Sequence, residues 1–441
     1  MPPTDVDLVV HARWIVPIEP PGVLVDHALV VDGGRIVAIV DAASADRDYR
    51  ARNRVECPAH VLMPGLVNAH THAAMNLLRG IADDVPLKPW LEAHIWPREG
   101  RFVAPEFVHD GTLLAGVEML RGGVTCAADM YFFPDAAARA YEALGMRALV
   151  GMPVLDFPTP YAADPDAYLQ KGLAARDAFK QSPRLAFALA PHAPYTVGDA
   201  TWAKVMMYAA QLDLPVHTHV AETRDEVEAS RAASGETPVE RLDRLGVTGP
   251  SLIAVHAVHV SGGDIDRLAA QRCHVVHCPT SNMKLASGIA PVAAMVERGI
   301  DVALGTDGAA SNNRLDLFAE MRHASLLAKV STGDAAALPA ATVLRMATLG
   351  GATAVGMDER VGSLLPGKAA DMIAVDLGGL DAMPVYDPIS HLVNVAGREA
   401  VTDVWIDGRR VVAARRVMTT DEDSLAPRAA LWQQRLATRI D

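Results

Sequence analysis

Apolar runs and helical stretches alternate along the chain from about residue 63 to residue 362. Each run is rich in β-branched residues and ends in a polar or Gly/Pro turn, and the stretch after it carries apolar residues at three-to-four spacing. This alternation is typical of βα units, whose strands form a parallel sheet. The eight runs are VLMPGLVNAH, VTCAADM, RALVGMPVLD, LAFALAPH, PVHTHVAE, SLIAVHAV, HVVHCPTS and DVALGTD.

The main alternative to a closed barrel is an open, doubly wound sheet. Such a sheet usually has fewer strands and often carries a Gly-rich phosphate turn after the first one. Neither GxGxxG nor GxxxxGK[ST] occurs in this chain. The pattern therefore predicts an α/β protein with a (β/α)8 TIM-like barrel over residues 63–362.

The two chain ends have a different texture. Residues 1–62 contain short alternating segments, such as HALVVDGG and RIVAIVD, and the Asp-Gly-Gly step favours a hairpin turn. The same texture returns in ADMIAVDL and VTDVWIDGRRVVAARRV, and a helix is expected from about Ser424. We therefore predict one small β-sandwich built from residues 1–62 and 363–441, with a closing C-terminal helix.

Composition narrows the possible partners. Half of the 441 residues are hydrophobic and 21% are charged, which is typical of a globular protein with a large core. The formal net charge of -13 would repel a phosphate backbone, so nucleic acid is not expected as a partner. The composition does not determine the oligomeric state and is compatible with a homo-oligomer.

The N-terminal segment shows no targeting signal. It lacks a basic flank, an apolar core and a cleavage site. No window of about 18 residues is free of charged or strongly polar residues, as a membrane-spanning helix would require. We therefore expect a cytoplasmic protein with no membrane partner.

Histidines gather at the predicted carboxyl ends of the barrel strands. His70 and His72 close the first strand, and residues two apart on a strand share a face. Catalytic residues of a (β/α)8 barrel come from the ends of several different strands. Chemically suitable residues at the other strand ends are His192, His217, His219, His256, His259 and Asp307.

Three imidazoles and one carboxylate are a ligand set that suits zinc and leaves a position for water. A bound metal lowers the pKa of that water from about 15.7 to about 7, so hydroxide exists at neutral pH. The candidate ligands are His70, His72, His219 and Asp307. His217 shares a face with His219, so the strand period does not choose between them. One Zn²⁺ per subunit is expected, and Fe²⁺ or Mn²⁺ would also suit such a site.

Glu222 lies three residues beyond His219 in the segment HVAE. A carboxylate just past the strand end could reach the metal-bound water and act as a general acid and base. The alternative is a charge at the start of the helix ETRDEVE, where the helix dipole favours acidic residues. Within this constellation of metal-ligand candidates we favour the catalytic role.

Patterns of other hydrolases do not occur. The chain has no HExxH, no H-x-E with P-C-x-x-C, and no G-x-S-x-G nucleophile elbow. These absences disfavour the zincins, the cytidine-type zinc deaminases and the serine hydrolases.

The segments PGLVNAHTH, HVAE, HAVH and GTDGAASNN resemble, in this order, the amidohydrolase superfamily and its deaminase and chlorohydrolase branch. The resemblance spans essentially the whole chain and includes the return segment GSLLPGKAADMIAVD. It implies metal binding by His70, His72, His219 and Asp307, and so selects His219 over His217. It also implies proton transfer by Glu222 and orientation of water or substrate by His256, with Asp307 beside it.

Two further segments, PWLEAHIWPREG with Trp90 and Glu99 and APHAPYT with His192, resemble the subgroup that deaminates 5'-methylthioadenosine and S-adenosylhomocysteine. By that resemblance Trp90 lines the pocket, Glu99 receives the ribose hydroxyls and His192 contacts the base. Members that act on S-adenosylhomocysteine can use an arginine after the GMRAL run, where this chain has Met152. An apolar thioether suits a methylthio group better than a charged tail. The resemblance therefore implies deamination of an adenine nucleoside, with 5'-methylthioadenosine preferred over S-adenosylhomocysteine or adenosine.

Two other kinds of function compete with this one. An s-triazine chlorohydrolase or aminohydrolase, or a free-base deaminase, could use the same hydroxide on an electron-poor ring. Such a ring has no sugar and therefore no use for Glu99. A metal-binding scaffold without turnover would need a closed ligand shell and no acid–base group, which Glu222 and His256 argue against.

Overall fold

A computed structural model describes residues 2–437 of the chain. Its strands fall into two groups, a barrel from the middle of the chain and a sheet from the two ends. In chain order the strands are β1 (Thr4–Ile15), β2 (Leu24–Asp32), β3 (Arg35–Asp41), β4 (Tyr49–Pro64), β5 (Leu66–Thr71), β6 (Val124–Met130), β7 (Arg147–Val154), β8 (Leu185–Pro191), β9 (Val216–Val220), β10 (Leu252–His256), β11 (His274–His277), β12 (Val302–Leu304), β13 (Met372–Asp376), β14 (Val401–Ile406), β15 (Arg409–Ala413) and β16 (Arg416–Val417).

Helices follow most barrel strands and cover the outside of the barrel. The α-helices are α1 (Ala42–Asp48), α2 (Leu87–Trp90), α3 (Trp96–Phe102), α4 (Pro105–Arg121), α5 (Pro134–Leu144), α6 (Pro165–Phe179), α7 (Asp199–Leu212), α8 (Arg224–Ser234), α9 (Pro238–Arg244), α10 (Gly262–Ala270), α11 (Pro279–Lys284), α12 (Val292–Glu297), α13 (Ala309–Asn312), α14 (Leu317–Thr332), α15 (Ala340–Met346), α16 (Leu349–Ala354), α17 (Pro388–Asn394) and α18 (Leu425–Leu436). Short 3-10 helices cover Ala73–Leu78, Arg398–Ala400 and Glu422–Ser424, and a π-helix covers Leu91–Ile95.

Strands β5 to β12 pair in chain order, each parallel to the next. The first and last strands also approach each other, because the N–H of Asp307, just after β12, donates to the carbonyl of His70 in β5 at 3.0 Å. The eight strands coincide with the eight apolar runs of the sequence. The (β/α)8 barrel is therefore confirmed.

Small side chains fill the inside of the barrel. Buried residues that pack there include Val67, Ala69, Ala128, Ala188, Val255, Val276 and Ala303. Because the outer faces of the same strands are buried against helices, the strands are apolar on both sides. Local signals set the helix ends, as at α9, where Thr237 and Glu240 form a capping box.

Both chain ends contribute to one continuous hydrogen-bonded sheet with the order β16-β15-β14-β13-β4-β1-β2-β3. The ends meet where β13 pairs antiparallel with β4, with Met372 opposite Pro64. The two predicted hairpins are present as β2–β3 and β14–β15, and α18 begins one residue after Ser424. The division of the chain at 62/63 and 362/363 stays a prediction.

One helical segment that does not belong to the regular βα repeat matters for the site. Residues 87–102 comprise α2, the π-helix and α3, and we call them the mouth segment because several of their side chains line the cavity described next. Separately, none of the helices within residues 2–437 has the length and apolar character that crossing a membrane requires.

Candidate metal centre and substrate cavity

Three imidazoles converge at the carboxyl ends of β5 and β9. The ligand atoms of His70, His72 and His219 all lie within 4.8 Å of one another. Asp307, just after β12, places Oδ1 3.5 Å from His70 Nε2 and 3.3 Å from His72 Nε2. We call these four residues the metal-ligand cluster. The structure thus brings together all four groups that the sequence singled out as ligands.

Backbone carbonyls orient two of the imidazoles. His219 Nδ1 lies 2.7 Å from the carbonyl oxygen of His192, and His72 Nδ1 faces the carbonyl oxygen of Met130. Because a carbonyl only accepts hydrogen bonds, Nδ1 must carry the hydrogen in both rings. The unprotonated Nε2 of each ring then faces the cluster, as a metal ligand requires.

His70 is oriented by another histidine. Its Nδ1 lies 3.0 Å from Nε2 of His217, and its Nε2 lies 3.2 Å from Nε2 of His219. A hydrogen on His70 Nδ1 therefore leaves Nε2 free to face the cluster. The strand period left His217 and His219 as alternatives; the geometry places His219 in the cluster and His217 behind His70, where it supports the ring.

Burial keeps the imidazoles of His70 and His219 neutral. It lowers the pKa of His70 to about 3 and that of His219 well below the ordinary value, because the charged form loses its hydration. Neutral imidazoles are the form that binds metal ions. The residues present therefore fit a metal ion on the evidence of position, ring orientation and protonation.

Asp307 is held on both of its carboxylate oxygens. The N–H of Gly308 donates to Oδ1 at 2.7 Å, and the hydroxyls of Ser281 and Ser311 donate to Oδ2 at 2.6 and 2.8 Å. Burial alone would raise the pKa of Asp307, but its contacts with His70 and His72 bring that pKa well below the ordinary value. Sequence reasoning missed the two serines, although the segments TSN and ASN after the seventh and eighth strands contained them.

Glu222 and His256 face each other beside the cluster. His256 Nε2 lies 3.7 Å from Glu222 Oε2, and Nδ1 of the same ring lies 2.8 Å from Asn282 Oδ1. Ser287 donates its hydroxyl to Glu222 Oε1 at 3.3 Å. Burial raises the pKa of Glu222, which makes the carboxylate a better proton acceptor than a solvated one.

A second buried carboxylate braces Glu222. Glu226 Oε1 and Oε2 accept the N–H groups of Ala221 and Glu222 at 2.9 and 2.8 Å, and Ala221 adopts a left-handed φ of 51°. Burial raises the pKa of Glu226 to about 7. Sequence reasoning missed this residue, and its position in the first turn of α8 was the available signal.

A cavity of about 280 Å³ opens above the cluster. The residues that line its floor are His72, His219, Glu222, His256 and Asp307. His70 lies fully buried beneath them. The floor of the cavity therefore combines a metal-ligand set with a group able to carry protons.

Three further residues predicted for the pocket also line this cavity: Trp90, Glu99 and His192. Tyr131 donates its hydroxyl to Glu99 Oε1 at 2.7 Å, and burial raises the pKa of Glu99. Trp90 Nε1 is buried without a hydrogen-bond partner among residues 2–437. Tyr131 was not predicted from the sequence.

Met152 does not line the cavity, contrary to the sequence-based expectation. Its side chain packs on the other face of β7, against α6, where a Cβ added at Gly172 would lie 2.8 Å from Met152 Cβ. The neighbours Pro153 and Leu155 line the cavity instead. Because successive residues of a strand point to opposite faces, Met152 cannot share their side. In the structure Met152 is therefore out of contact with the cavity, contrary to the selector role expected from the sequence.

The chain is similar to known proteins in sequence and in fold. The amidohydrolase family pattern matches residues 61–411, which is more than half of the chain. The chain belongs to the amidohydrolase family. The resemblance seen in its motifs is thereby confirmed.

The similar proteins of this family span the whole chain. A 5-methylthioadenosine/S-adenosylhomocysteine deaminase from Teredinibacter turnerae is 46% identical over 437 residues, covering 99% of each chain. A 5'-deoxyadenosine deaminase from Methanosarcina mazei is 41% identical over 436 residues, again covering 99% of each. The crystal structure of an adenosine deaminase from Xanthomonas campestris with bound zinc has a TM-score of 0.98 at 48% identity, over 99% of this chain and 100% of that one.

Proposed function

We propose that this amidohydrolase deaminates adenine nucleosides, above all 5'-methylthioadenosine, to the inosine derivative and ammonia. One observation carries the proposal: the Glu99–Tyr131 pair lies in the same cavity as Glu222 and the metal-ligand cluster. A carboxylate can accept hydrogen bonds from two sugar hydroxyls, and the cluster serves the reacting ring. The names of the similar proteins support this assignment.

The metal we propose is one Zn²⁺ per subunit, with Fe²⁺ or Mn²⁺ as alternatives for the same ligands. His70, His72, His219 and Asp307 would hold it. When bound, zinc supplies a water that ionises near neutral pH. The similar structure with bound zinc supports this choice of metal.

The protein's own groups then manage protons and geometry. Glu222 accepts the proton of the attacking water and returns it to ring N1, while the oxygen bonds to C6. His256 Nε2, directed toward Glu222 by its Asn282 contact, steadies that oxygen together with Asp307. The remaining hydroxyl proton of the C6 adduct then passes to the amino nitrogen, the C6–N bond breaks, and ammonia leaves as the C6 carbonyl of the inosine derivative forms.

The other lining groups bind the substrate. Glu99, held by Tyr131, accepts hydrogen bonds from the ribose hydroxyls, and its raised pKa is lowered again by such donors. Trp90 offers apolar surface, and its unpartnered Nε1–H can donate a hydrogen bond. His192, whose Nδ1 lies 3.2 Å from Thr196 Oγ1, contacts the base.

The alternatives are an s-triazine chlorohydrolase or aminohydrolase and a free-base deaminase. Their rings have no sugar, so Glu99, which already accepts a hydrogen bond from Tyr131, would lose hydration without gaining hydrogen bonds from the substrate. We therefore rank them below the nucleoside. A cytoplasmic location and a possible homo-oligomer stay predictions beside this function.

Ammonia release tests the proposal. The zinc-loaded enzyme is assayed with 5'-methylthioadenosine, S-adenosylhomocysteine, adenosine and a chlorotriazine, and the inosine product is identified by mass. We expect the first nucleoside to react fastest. If no nucleoside reacted while the triazine released chloride, the proposed function would be wrong.

A further inference from the structure

The outer part of the cavity has a different character from its floor. Its lining comes from the mouth segment and from the loop after β7, and consists of Leu87, Leu91, Trp96, Leu155, Phe157, Pro158 and Pro160. The Trp96 and Phe157 rings are in contact, with centroids 6.5 Å apart. We call Trp96, Leu155 and Phe157 the apolar collar.

The two collar rings lie at the entrance of the cavity, and Leu155, which is buried, lies deeper. Trp96 and Phe157 remain 40% and 41% exposed, whereas the groups at the floor are nearly fully buried. Trp96 and Glu99 are three residues apart in α3, so their side chains lie on the same face of that helix. A ribose held by Glu99 therefore has the collar beside it, on the side that leads to solvent.

The charge of the lining is one-sided. The acidic residues Glu99, Glu222 and Asp307 line the cavity, and no lysine or arginine is among the lining residues of the described chain. A carboxylate placed there would lose hydration without meeting a cation. It would also lie beside a lining whose charged side chains are carboxylates, with the proposed metal held at the floor and not at the entrance.

We propose that Trp96, Leu155 and Phe157 select adenine nucleosides by the charge of the 5' substituent, so that apolar 5'-alkylthio and 5'-deoxy groups are accepted and zwitterionic tails are disfavoured. This inference rests on the proposed function and takes the place of the selector role once expected of Met152. Because Trp96 and Phe157 are open to solvent, the length of the tail matters less than its charge. An apolar tail longer than methyl gains contact with the two aromatic rings.

A matched pair of substrates separates charge from length. 5'-Propylthioadenosine has the chain of S-adenosylhomocysteine without the amino and carboxylate groups. We expect its kcat/KM to stay within about threefold of that for 5'-methylthioadenosine, and that for S-adenosylhomocysteine to be at least about tenfold lower. Equal kcat/KM values for the propylthio and homocysteine compounds would overturn the proposal.

Removing a collar ring tests the assigned residues. Phe157→Ala lies at an exposed position, so folding should be preserved. We expect it to lower kcat/KM for the propylthio compound by about threefold to tenfold relative to adenosine, whose 5' hydroxyl makes little use of the collar. Trp96→Ala, which removes the ring in contact with Phe157, should act in the same direction. Tyr386→Ala, an exposed aromatic residue outside the cavity lining, is the matched control and should leave the ratio unchanged.

The outcomes distinguish this inference from the function on which it depends. If neither collar variant changes the ratio of kcat/KM for 5'-propylthioadenosine to that for adenosine, the collar assignment is wrong while the deaminase function stands. If none of the four nucleosides releases ammonia, the proposed function and the collar both fail.

Discussion

Two clusters of buried polar groups lie at opposite ends of the barrel strands. The metal-ligand cluster lies at the carboxyl ends and opens into the cavity. At the amino end of β7, Arg147 donates to both oxygens of Asp371, at 2.7 and 2.9 Å, and also contacts Asp407. We call Arg147, Asp371 and Asp407 the base cluster, which joins the barrel to the end sheet.

The difference between them lies in how completely the groups are paired. In the base cluster the Arg147 guanidinium donates to the carboxylates of Asp371 and Asp407, and the N–H of Asp407 also donates to Asp371 at 2.8 Å. Burial alone would lower the pKa of Arg147, but Asp371 and Asp407 raise it well above its ordinary value. In the metal-ligand cluster the ligand nitrogens of three imidazoles instead lie within 4.8 Å of one another. Burial of polar groups is common to both, and only the incompletely paired cluster beside a cavity indicates a ligand site.

The largest expected effect concerns catalysis alone. Glu222→Gln keeps the shape of the side chain but removes the proton carrier, so kcat should fall by about 10²–10⁴-fold. The bound zinc, measured by elemental analysis, should stay at one per chain because Glu222 is outside the ligand cluster. Glu228→Gln, on the exposed face of α8, is the control. Unchanged turnover of the Glu222 variant would remove this residue from the mechanism.

The base cluster should show the opposite behaviour. Arg147→Met leaves Asp371 buried without its cation, so the free energy of unfolding should fall by about 3–5 kcal/mol. KM and zinc content of the folded fraction should not change, since the cavity is at the other end of the strands. The control Arg184→Met removes a partner of Asp407 that is 3.8 Å away and 30% exposed, and should cost less than about 1 kcal/mol. If denaturant unfolding showed Arg147→Met to be no more destabilising than Arg184→Met, the structural role of the base cluster would be contradicted.

His217 tests the support of the metal-ligand cluster. His217→Phe removes the acceptor for His70 Nδ1, so zinc affinity should fall by about 10–100-fold. His217→Gln, which keeps an acceptor oxygen, should lose less. Chelator competition measures the affinity without any need for turnover, and His391→Gln, at a partly exposed position outside the cluster, is the control. Equal zinc affinity in the Phe variant and the unchanged protein would show that His217 does not orient His70.

The sequence was sufficient for the parts of the fold that repeat. The eight apolar runs correspond to β5–β12 because a barrel strand buried on both faces must be apolar over its whole length. The four predicted ligands meet because parallel strands end at one rim, so residues such as His70 and Asp307, far apart in the chain, become neighbours. The end sheet was also predictable, since its hairpins carry their own turn residues.

The supporting groups could not be derived in the same way. Ser281, Asn282, Ser287 and Ser311 lie in loops after different strands, and their contacts depend on how those loops fold back over the barrel. Glu226 accepts backbone N–H groups, and its place in the first turn of α8 marks it as a helix-terminal acid without showing which N–H groups it meets. These residues have no periodicity, and only the three-dimensional contacts identify them.

The smallest expected effect comes from the one site residue that the sequence placed incorrectly. The resemblance that pointed to Met152 gives a position in the chain but not the face on which the side chain lies, and β7, buried on both faces, has no alternation that would show it. In the structure Met152 packs against α6 at Gly172, and Leu155 lines the cavity. Met152→Leu conserves volume, so the ratio of kcat/KM for 5'-methylthioadenosine to that for S-adenosylhomocysteine should stay within about twofold. Leu155→Ala is the matched change at the cavity, one residue after β7, and should lower the same ratio. A larger change from Met152→Leu than from Leu155→Ala would contradict the placement of Met152 away from the cavity.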